Sequence, residues 1–454
     1  MNPKILWCSG LALPVLLATA ALTACGYKTT DYSRPSTAVA LARYNASGTP
    51  GTLDTSFGTQ GVVTTDVDTF QDDVAFATVL QPDGKIIAVG TSFTTPANVV
   101  VIRYNANGAR DLTFGTNGIT VTGLPPADAS AFAATLQADG KLLVAGRSCP
   151  LSGTSSFLLL RYHTDISTGT AGTLDTSFGT AGTGIVTTPI PSGSSTSANA
   201  VAVSGTNILL AGHSKIGANF VIALAQYTSS GAPDSTFGSG GIVTTPVGSL
   251  DADAAALAVQ TGGKIVVAGL AGSAASQIWD VALLRYNADG SPDTTFGGGD
   301  GIVTTDIGSS SNYANAVALQ ADGKIVVAGN AFVNSFAGTS DIAVLRYNTD
   351  GSLDTGFGNP NGYVTTNVSA FDNGFAVAVQ SDNKIVVAGN ADAGTGDRLA
   401  LLRYNADGSL DADPMTGFGT GGIVTRAASG PSTIAGAFAV LLQPGGEIVV
   451  AGYD

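Results

Sequence analysis

Short apolar runs, separated by glycine, aspartate, asparagine and serine, fill this chain almost end to end. Residues 281–329 show the pattern in full, with "VALLRYN" (281–287), "GIVTTDI" (301–307), "ANAVALQ" (314–320) and "KIVVAG" (324–329). Each run is β-branched or alternating and is bounded by turn residues, which predicts four β-strands. "QADGK" (320–324) joins the last two, with an Asp-Gly pair suited to the positive φ angles of a tight hairpin. "YNADGSPDTTFG" (286–297) joins the first two as a longer, ordered loop. "KIVVAG" is apolar at consecutive positions, as expected of a strand covered on both sides.

The same four runs recur. The tyrosine of an "RY" element stands at 44, 104, 162, 227, 286, 347 and 404. An "FG" pair follows each, from Phe57 to Phe418, and an "AVG", "VAG" or "LAG" ending closes each unit, from Gly90 to Gly452. Seven units of about 60 residues with four strands each predict an all-β, seven-bladed β-propeller over residues 38–454. A solenoid is the runner-up, but its repeats are shorter and its ends need caps. The chain opens with two strands of a unit, "VALARYN" (39–45) and "GVVTTDV" (61–67), and ends with the other two, "AFAVLLQ" (437–443) and "EIVVAG" (447–452). Pairing two N-terminal with two C-terminal strands closes the ring and removes open sheet edges. The alanine-rich "AVALQ" runs are expected innermost, where the blades crowd the axis. The tyrosines and phenylalanines of "RY" and "FG" are expected between blades further out.

"RYNADGSPDTTFGGGDGIVTT" followed by "ALQADGKIVVAG" resembles the bacterial delta-60 repeat family, a domain of unknown function described as propeller-forming. The resemblance covers essentially all of 38–454. It implies the fold and a secreted or surface address, and no activity.

Composition sharpens the class. Charged residues make up only 11%, Gly numbers 60, and Glu447 is the one glutamate. Turn and strand formers dominate over helix formers. The net charge of −14, with sparse basic residues, excludes a nucleic-acid footprint. Residues 1–24, "MNPKILWCSGLALPVLLATAALTA", have the layout of a secretory signal peptide. Leu22-Thr23-Ala24-Cys25 resembles the lipobox of bacterial lipoproteins, which implies cleavage and lipid attachment at Cys25. Residues 25–37 are then a lipidated tether. Gly26 lacks the aspartate that in enteric lipoproteins holds a protein at the inner membrane, so the resemblance points to the outer membrane of a bacterial cell envelope. With Cys8 removed and Cys25 acylated, Cys149 is left without a disulfide partner.

Candidate chemistry is thin. Asn287, Asp289 and Asp293 flank Gly290 with the alternating oxygens of a calcium loop, and Asn348/Asp350/Asp354 and Asn405/Asp407/Asp411 repeat them. The same residues are what an ordinary turn requires, and turn chemistry is the leading reading. Arg43, Arg103, Arg161, Arg285, Arg346 and Arg403 share one repeat position, where Gln226 stands in the fourth unit, so they read as scaffold. His163 and His213 are the only histidines. Sequence individuality lies in the loops opposite the repeated turns. Asp72, Asp73, Asp251, Asp253, Asp306 and Asp372, with Trp279, Tyr313, Phe332, Phe336 and Phe371, form a candidate acidic and aromatic face for a ligand or cation. The function expected is non-catalytic binding of an envelope glycan or protein, with no cofactor beyond an occasional Ca²⁺. Two alternatives stand beside it: a glycan hydrolase or lyase working through paired aspartates, and a passive surface spacer.

Overall fold

The computed structural model describes residues 37–165, 170–179, 182–308, 310–334, 338–392, 394, 397–427 and 435–454. The signal peptide, Cys25, the tether up to residue 36 and Phe336 lie outside the described residues. Among the described residues all long-range regular structure is strand. The chain begins with β1 (Val39–Tyr44) and β2 (Val62–Thr65). Four-stranded antiparallel sheets follow: β3 (Asp73–Leu80), β4 (Ile86–Ser92), β5 (Asn98–Tyr104) and β6 (Ile119–Thr122); then β7 (Asp128–Leu136), β8 (Leu142–Cys149), β9 (Ser156–Tyr162) and β10 (Ile185–Thr188). Next come β11 (Gly193–Ser204), β12 (Asn207–Ile216), β13 (Asn219–Tyr227) and β14 (Ile242–Thr245), and β15 (Ala252–Val259), β16 (Ile265–Ser273), β17 (Ile278–Tyr286) and β18 (Ile302–Thr305). The quartets β19 (Asn312–Leu319), β20 (Ile325–Asn334), β21 (Thr339–Tyr347), β22 (Tyr363–Thr366) and β23 (Phe371–Val379), β24 (Ile385–Asp392), β25 (Asp397–Tyr404), β26 (Ile423–Ala427) touch through one parallel pair, Ser340 with Phe371. The last strands, β27 (Gly436–Leu442) and β28 (Ile448–Tyr453), join the first two in the order β2-β1-β28-β27. Each sheet therefore takes its inner pair from one sequence repeat and its outer pair from the next.

The protein is an all-β propeller of four-stranded sheets. Its inner strands pack on one another in a circuit, β3 on β7, then β11, β15, β19, β23, β27 and back to β3. The second strands are fully buried, as in β4 and β28, which is why they read as continuous apolar runs. The tyrosines and phenylalanines of the repeat fill the layers between sheets; all of Tyr44, Tyr104, Phe57 and Phe114 are essentially inaccessible. Tyrosine hydroxyls such as Tyr104 and Tyr286 meet a threonine of the preceding sheet, Thr65 and Thr245, both at 2.8 Å. Tyr44 lacks this bond, because Arg426 stands at the threonine position and the hydroxyl is buried without a partner.

The repeated turns lock neighbouring sheets. The amide of each "FG" glycine donates to a carbonyl in the turn of the next unit: Gly58 to Asn107, Gly115 to Ala171, Gly179 to Ser230, Gly238 to Asp289, Gly297 to Asp350, Gly358 to Asp407 and Gly419 to Pro50, at 2.8–3.1 Å. The last of these returns to the first unit. Close approach makes the turn glycine obligatory: at Gly290, with φ +84°, a Cβ would lie 2.9 Å from the Phe237 ring.

Candidate functional site

The inner strands share one irregularity. A β-bulge interrupts each at the same place: between Ala75 and Ala77, Ala131 and Ala133, Ala198 and Ala200, Ala254 and Ala256, Ala314 and Ala316, Gly374 and Ala376, and Ala437 and Ala439. The extra residue of a bulge is unpaired and re-aimed relative to the strand's alternation. Opposite each bulge stands the glycine of "VAG", because a Cβ there would come within 1.8–1.9 Å of the bulge carbonyl. These glycines are required by close approach, not by their φ.

The residues so displaced, Phe76, Phe132, Asn199, Ala255, Asn315, Phe375 and Phe438, all line a single axial cavity of about 300 Å³. Four of them form an aromatic arc. Phe375 and Phe438 have ring centroids 5.0 Å apart, Phe438 and Phe76 5.3 Å, and Phe76 and Phe132 5.6 Å. The opposite arc is polar, with Ser197, Asn199, His213 and Asn315.

The polar arc is held by bonds that cross between sheets. Asn199 Nδ2 donates to the Ala254 carbonyl at 2.9 Å and to Asp253 Oδ1 at 3.1 Å. His213 Nδ1 lies 2.9 Å from the same oxygen. A carboxylate oxygen accepts, so His213 Nδ1 is the donor of that bond. Asn315 Nδ2 donates to the Gly374 carbonyl at 2.9 Å, which leaves its amide oxygen as an acceptor. No Asp, Glu, Lys or Arg lines the cavity. The arrangement sets hydrogen-bonding groups opposite aromatic rings; Ser197 is the cross-strand partner of His213, and its hydroxyl donates to Asn199 Oδ1 at 3.1 Å.

The residues of the expected acidic and aromatic face are placed differently from one another. Asp73 and Asp372 are wholly buried. Asp73 Oδ2 accepts from the amides of Val67 and Asp68 at 2.8 and 3.1 Å, and Asp372 Oδ2 from those of Val368 and Ser369 at 2.6 and 2.9 Å. Burial pushes both carboxyls above the usual range. Asp72 accepts from the amide of Thr37 at 2.9 Å and Asp251 from that of Phe220 at 2.8 Å; Asp128 does the same for Ala97 at 2.8 Å. These aspartates tie one sheet to the next. Asp253 is buried behind the cavity lining, bonded to Asn199 and His213, and Asp306 is exposed, accepting from the Gly308 amide at 2.7 Å. Tyr313 is buried and meets Phe332 edge-on at 5.7 Å, in a small cluster with Leu270 and the half-buried Trp279. The structure places Asp253 behind two lining residues of the cavity and distributes the others elsewhere, several of them between sheets.

The repeated Asn–Asp–Gly–Asp element is turn and clamp. Asp289 Oδ1 accepts from the Ser291 amide at 2.9 Å and its hydroxyl at 2.6 Å, while Asn287 Nδ2 donates to the Ser291 hydroxyl at 3.0 Å. Asp293 is paired with Arg285 at 2.6 Å and Lys264 at 2.5 Å. Among the described residues no group of three or more His, Cys, Asp or Glu is arranged to hold a metal ion. Cys149 corrects one expectation: it is disulfide-bonded.

Six segments, residues 81–114, 137–178, 207–237, 260–296, 320–357 and 380–413, match the model of DUF5122, a β-propeller domain of unknown function. The matched segments support a β-propeller domain of unknown function. No curated protein matches it in sequence. Solved structures similar to it include hydrazine synthase of Kuenenia stuttgartiensis, at 12% identity and TM-score 0.39 over 83% of this chain and 47% of that one. An ulvan lyase is similar at 10% identity and TM-score 0.40, over 80% and 81%. Drosophila semaphorin 2a is similar at 8% identity and TM-score 0.45, over 83% and 73%. The chain thus spans about half the length of the hydrazine synthase chain it matches.

The sequence reading passed over the cavity's lining residues. Their signal is the middle of "AFA", "AFA", "ANA", "AAA", "ANA", "GFA" and "AFA", one position that changes character inside an otherwise constant strand.

Proposed function

We propose that this protein is a seven-bladed propeller of the bacterial cell envelope, anchored through acylated Cys25, that acts as a non-catalytic binding module. The blade count rests on the circuit of inner strands and the matching circuit of glycine amide bonds, with the eight-stranded sheet taken as two blades bridged at Ser340 and Phe371. The observation that carries the binding reading is the axial cavity, whose lining departs from the repeat at the position where the bulge aims a side chain inward. A spacer gains nothing from such a departure. The test is retention of envelope glycans and proteins on immobilised residues 26–454, compared with Asn199→Ala and Phe438→Leu. Retention by the native protein, lost in these folded variants, supports the reading; no retention by any form overturns it.

Catalysis has one observation in its favour. Asp280 is pushed above the usual carboxyl range by burial and by nearby Asp306, the arrangement a glycan hydrolase or lyase with paired carboxylates needs. Asp280 lies on β17 and Asp306 directly follows β18, and neither lines the cavity. Release of reducing or unsaturated ends from a polysaccharide panel, abolished by Asp280→Asn, would establish it. The address is tested separately by palmitate labelling, expected in the native protein and absent in Cys25→Ser.

A further inference from the structure

We infer that the axial cavity binds one neutral, pyranose-sized sugar ring, with its C–H face on the phenylalanine arc and its hydroxyls toward Asn199, Asn315 and His213. The inference rests on the binding reading above and names its ligand class.

Size, polarity and charge point the same way. The cavity's 300 Å³ lies at the small end of ligand sites, about 300–1,000 Å³, which suits a single ring better than an extended chain. Its two halves differ in kind. Phe375, Phe438, Phe76 and Phe132 form a contiguous row of rings, each tilted by 34–66° to the next. Aromatic faces carry the negative lobe of the ring quadrupole and attract polarised C–H groups. The other half holds amides and an imidazole, which accept as well as donate. A sugar hydroxyl also does both, so a polyhydroxylated ring matches groups of this kind at several points. A purely apolar guest would gain no hydrogen bond from these groups, whose donors are bonded within the wall and whose remaining acceptors face the cavity side. Charge excludes the acidic and basic sugars: the nearest carboxylate, Asp253, is already bonded to His213 and Asn199 at 2.9 and 3.1 Å. Gln, Thr and Lys of the repeated turns play no part, because the lining ends at Thr78 and Val201, short of those turns.

Isothermal titration calorimetry on the purified processed protein tests this, with glucose, galactose and N-acetylglucosamine as neutral probes, glucuronate as the charged probe and cyclohexanol as the apolar one. At least one neutral sugar is expected to bind with unit stoichiometry, and glucuronate at least tenfold more weakly. Asn315→Ala and Phe438→Leu are each expected to weaken the sugar by about tenfold, the loss of one buried hydrogen bond or ring contact. Both variants leave the His213–Asp253 pair untouched, and circular dichroism melts confirm that they fold. Absence of binding by every neutral sugar at tens of millimolar overturns the inference. So does cyclohexanol binding more tightly than any sugar and unaffected by Asn315→Ala. If sugars fail while an envelope macromolecule is still retained, the inference falls and the binding module stands; if both fail, both fall.

Discussion

Each arginine of the "RY" element does three things at once. Arg285 donates from Nε to Asp293 at 2.6 Å, from Nη1 to the Thr349 carbonyl of the next unit, and lays its guanidinium 4.4 Å from the Phe296 ring centroid. Arg285→Ala leaves Asp293 with Lys264 as its one cationic partner, so it is expected to cost about 3 kcal/mol, the low end for a broken buried pair, in equilibrium urea unfolding. The chain contains its own replacement: where Gln226 stands for arginine, Asn207 stands for lysine, and its amide bonds both Gln226 at 3.1 Å and Asp234 at 2.8 Å. Lys264→Asn with Arg285→Gln should therefore cost less than Arg285→Ala; an equal or larger cost would show that the fourth unit's pair is not co-adapted. The carboxylates also set a pH response of known sign. Burial raises Asp73 and Asp372 above the unfolded value of about 3.9, so the folded state takes up their protons first and gains stability as pH falls from neutral. Burial opposes ionisation at Asp293 too, but Lys264, Thr295 and Arg285 outweigh it and hold that carboxyl well below the usual range. Its contribution is present above about pH 4 and is lost below. Melting temperature should thus rise from pH 7 toward the carboxyl range and then fall. Asp73→Asn with Asp372→Asn should flatten the rising limb and leave the acid fall.

At the scale of the strand, the bulge turns a scaffold into a site. Gly389 faces the Asn373 carbonyl so closely that an added Cβ would sit 1.8 Å from it. Gly389→Ala must push β23 off β24 at the bulge, which displaces Phe375 from the cavity. The expected result is a loss of about 2–4 kcal/mol, typical of forced backbone shifts and lost packing, with a weakened Phe375–Phe438 contact seen as an altered near-ultraviolet spectrum. An unchanged spectrum and stability would mean that the glycine is not what holds the bulge. Much of this architecture is legible in the sequence, because "ADG" turns, "RY" and "FG" recur with fixed chemistry. The cavity is not, since a one-residue bulge breaks the alternation from which facing is read, and "GFAVAV" (374–379) looks like an ordinary strand. The loop aspartates mislead for a related reason. An aspartate that caps the Val67 or Phe220 amide and one that awaits a cation occupy the same kind of loop, and only the position of the amide separates them.

For the whole molecule, the decisive contacts join residues far apart in sequence. The Arg403 guanidinium donates to the Ala46 carbonyl at 3.0 Å, Gly419 donates to Pro50 at 3.0 Å, and Ala38 donates to the Asp454 side chain at 2.7 Å. The ring is closed by the same clamp and turn that join every other pair of units, with β1 and β2 completing the sheet of β27 and β28. A ring closed by repeated contacts should not depend on where the chain is cut, provided the cut falls in an exposed loop. Joining residue 454 to residue 38 through a short linker and opening the chain at Gly153, in an exposed stretch, should give a monomer that unfolds cooperatively within a few degrees of the native protein. Removing residues 37–66 instead leaves β28 as an open edge beside β27 and strips the Phe57 layer from β3. That edge offers unpaired backbone groups to other molecules, so the truncated protein should aggregate with concentration and lose its single transition. Light scattering with chromatography, alongside thermal melts, separates the two. A truncated chain that stays monomeric and melts in one step would show that the ring does not need its closing sheet.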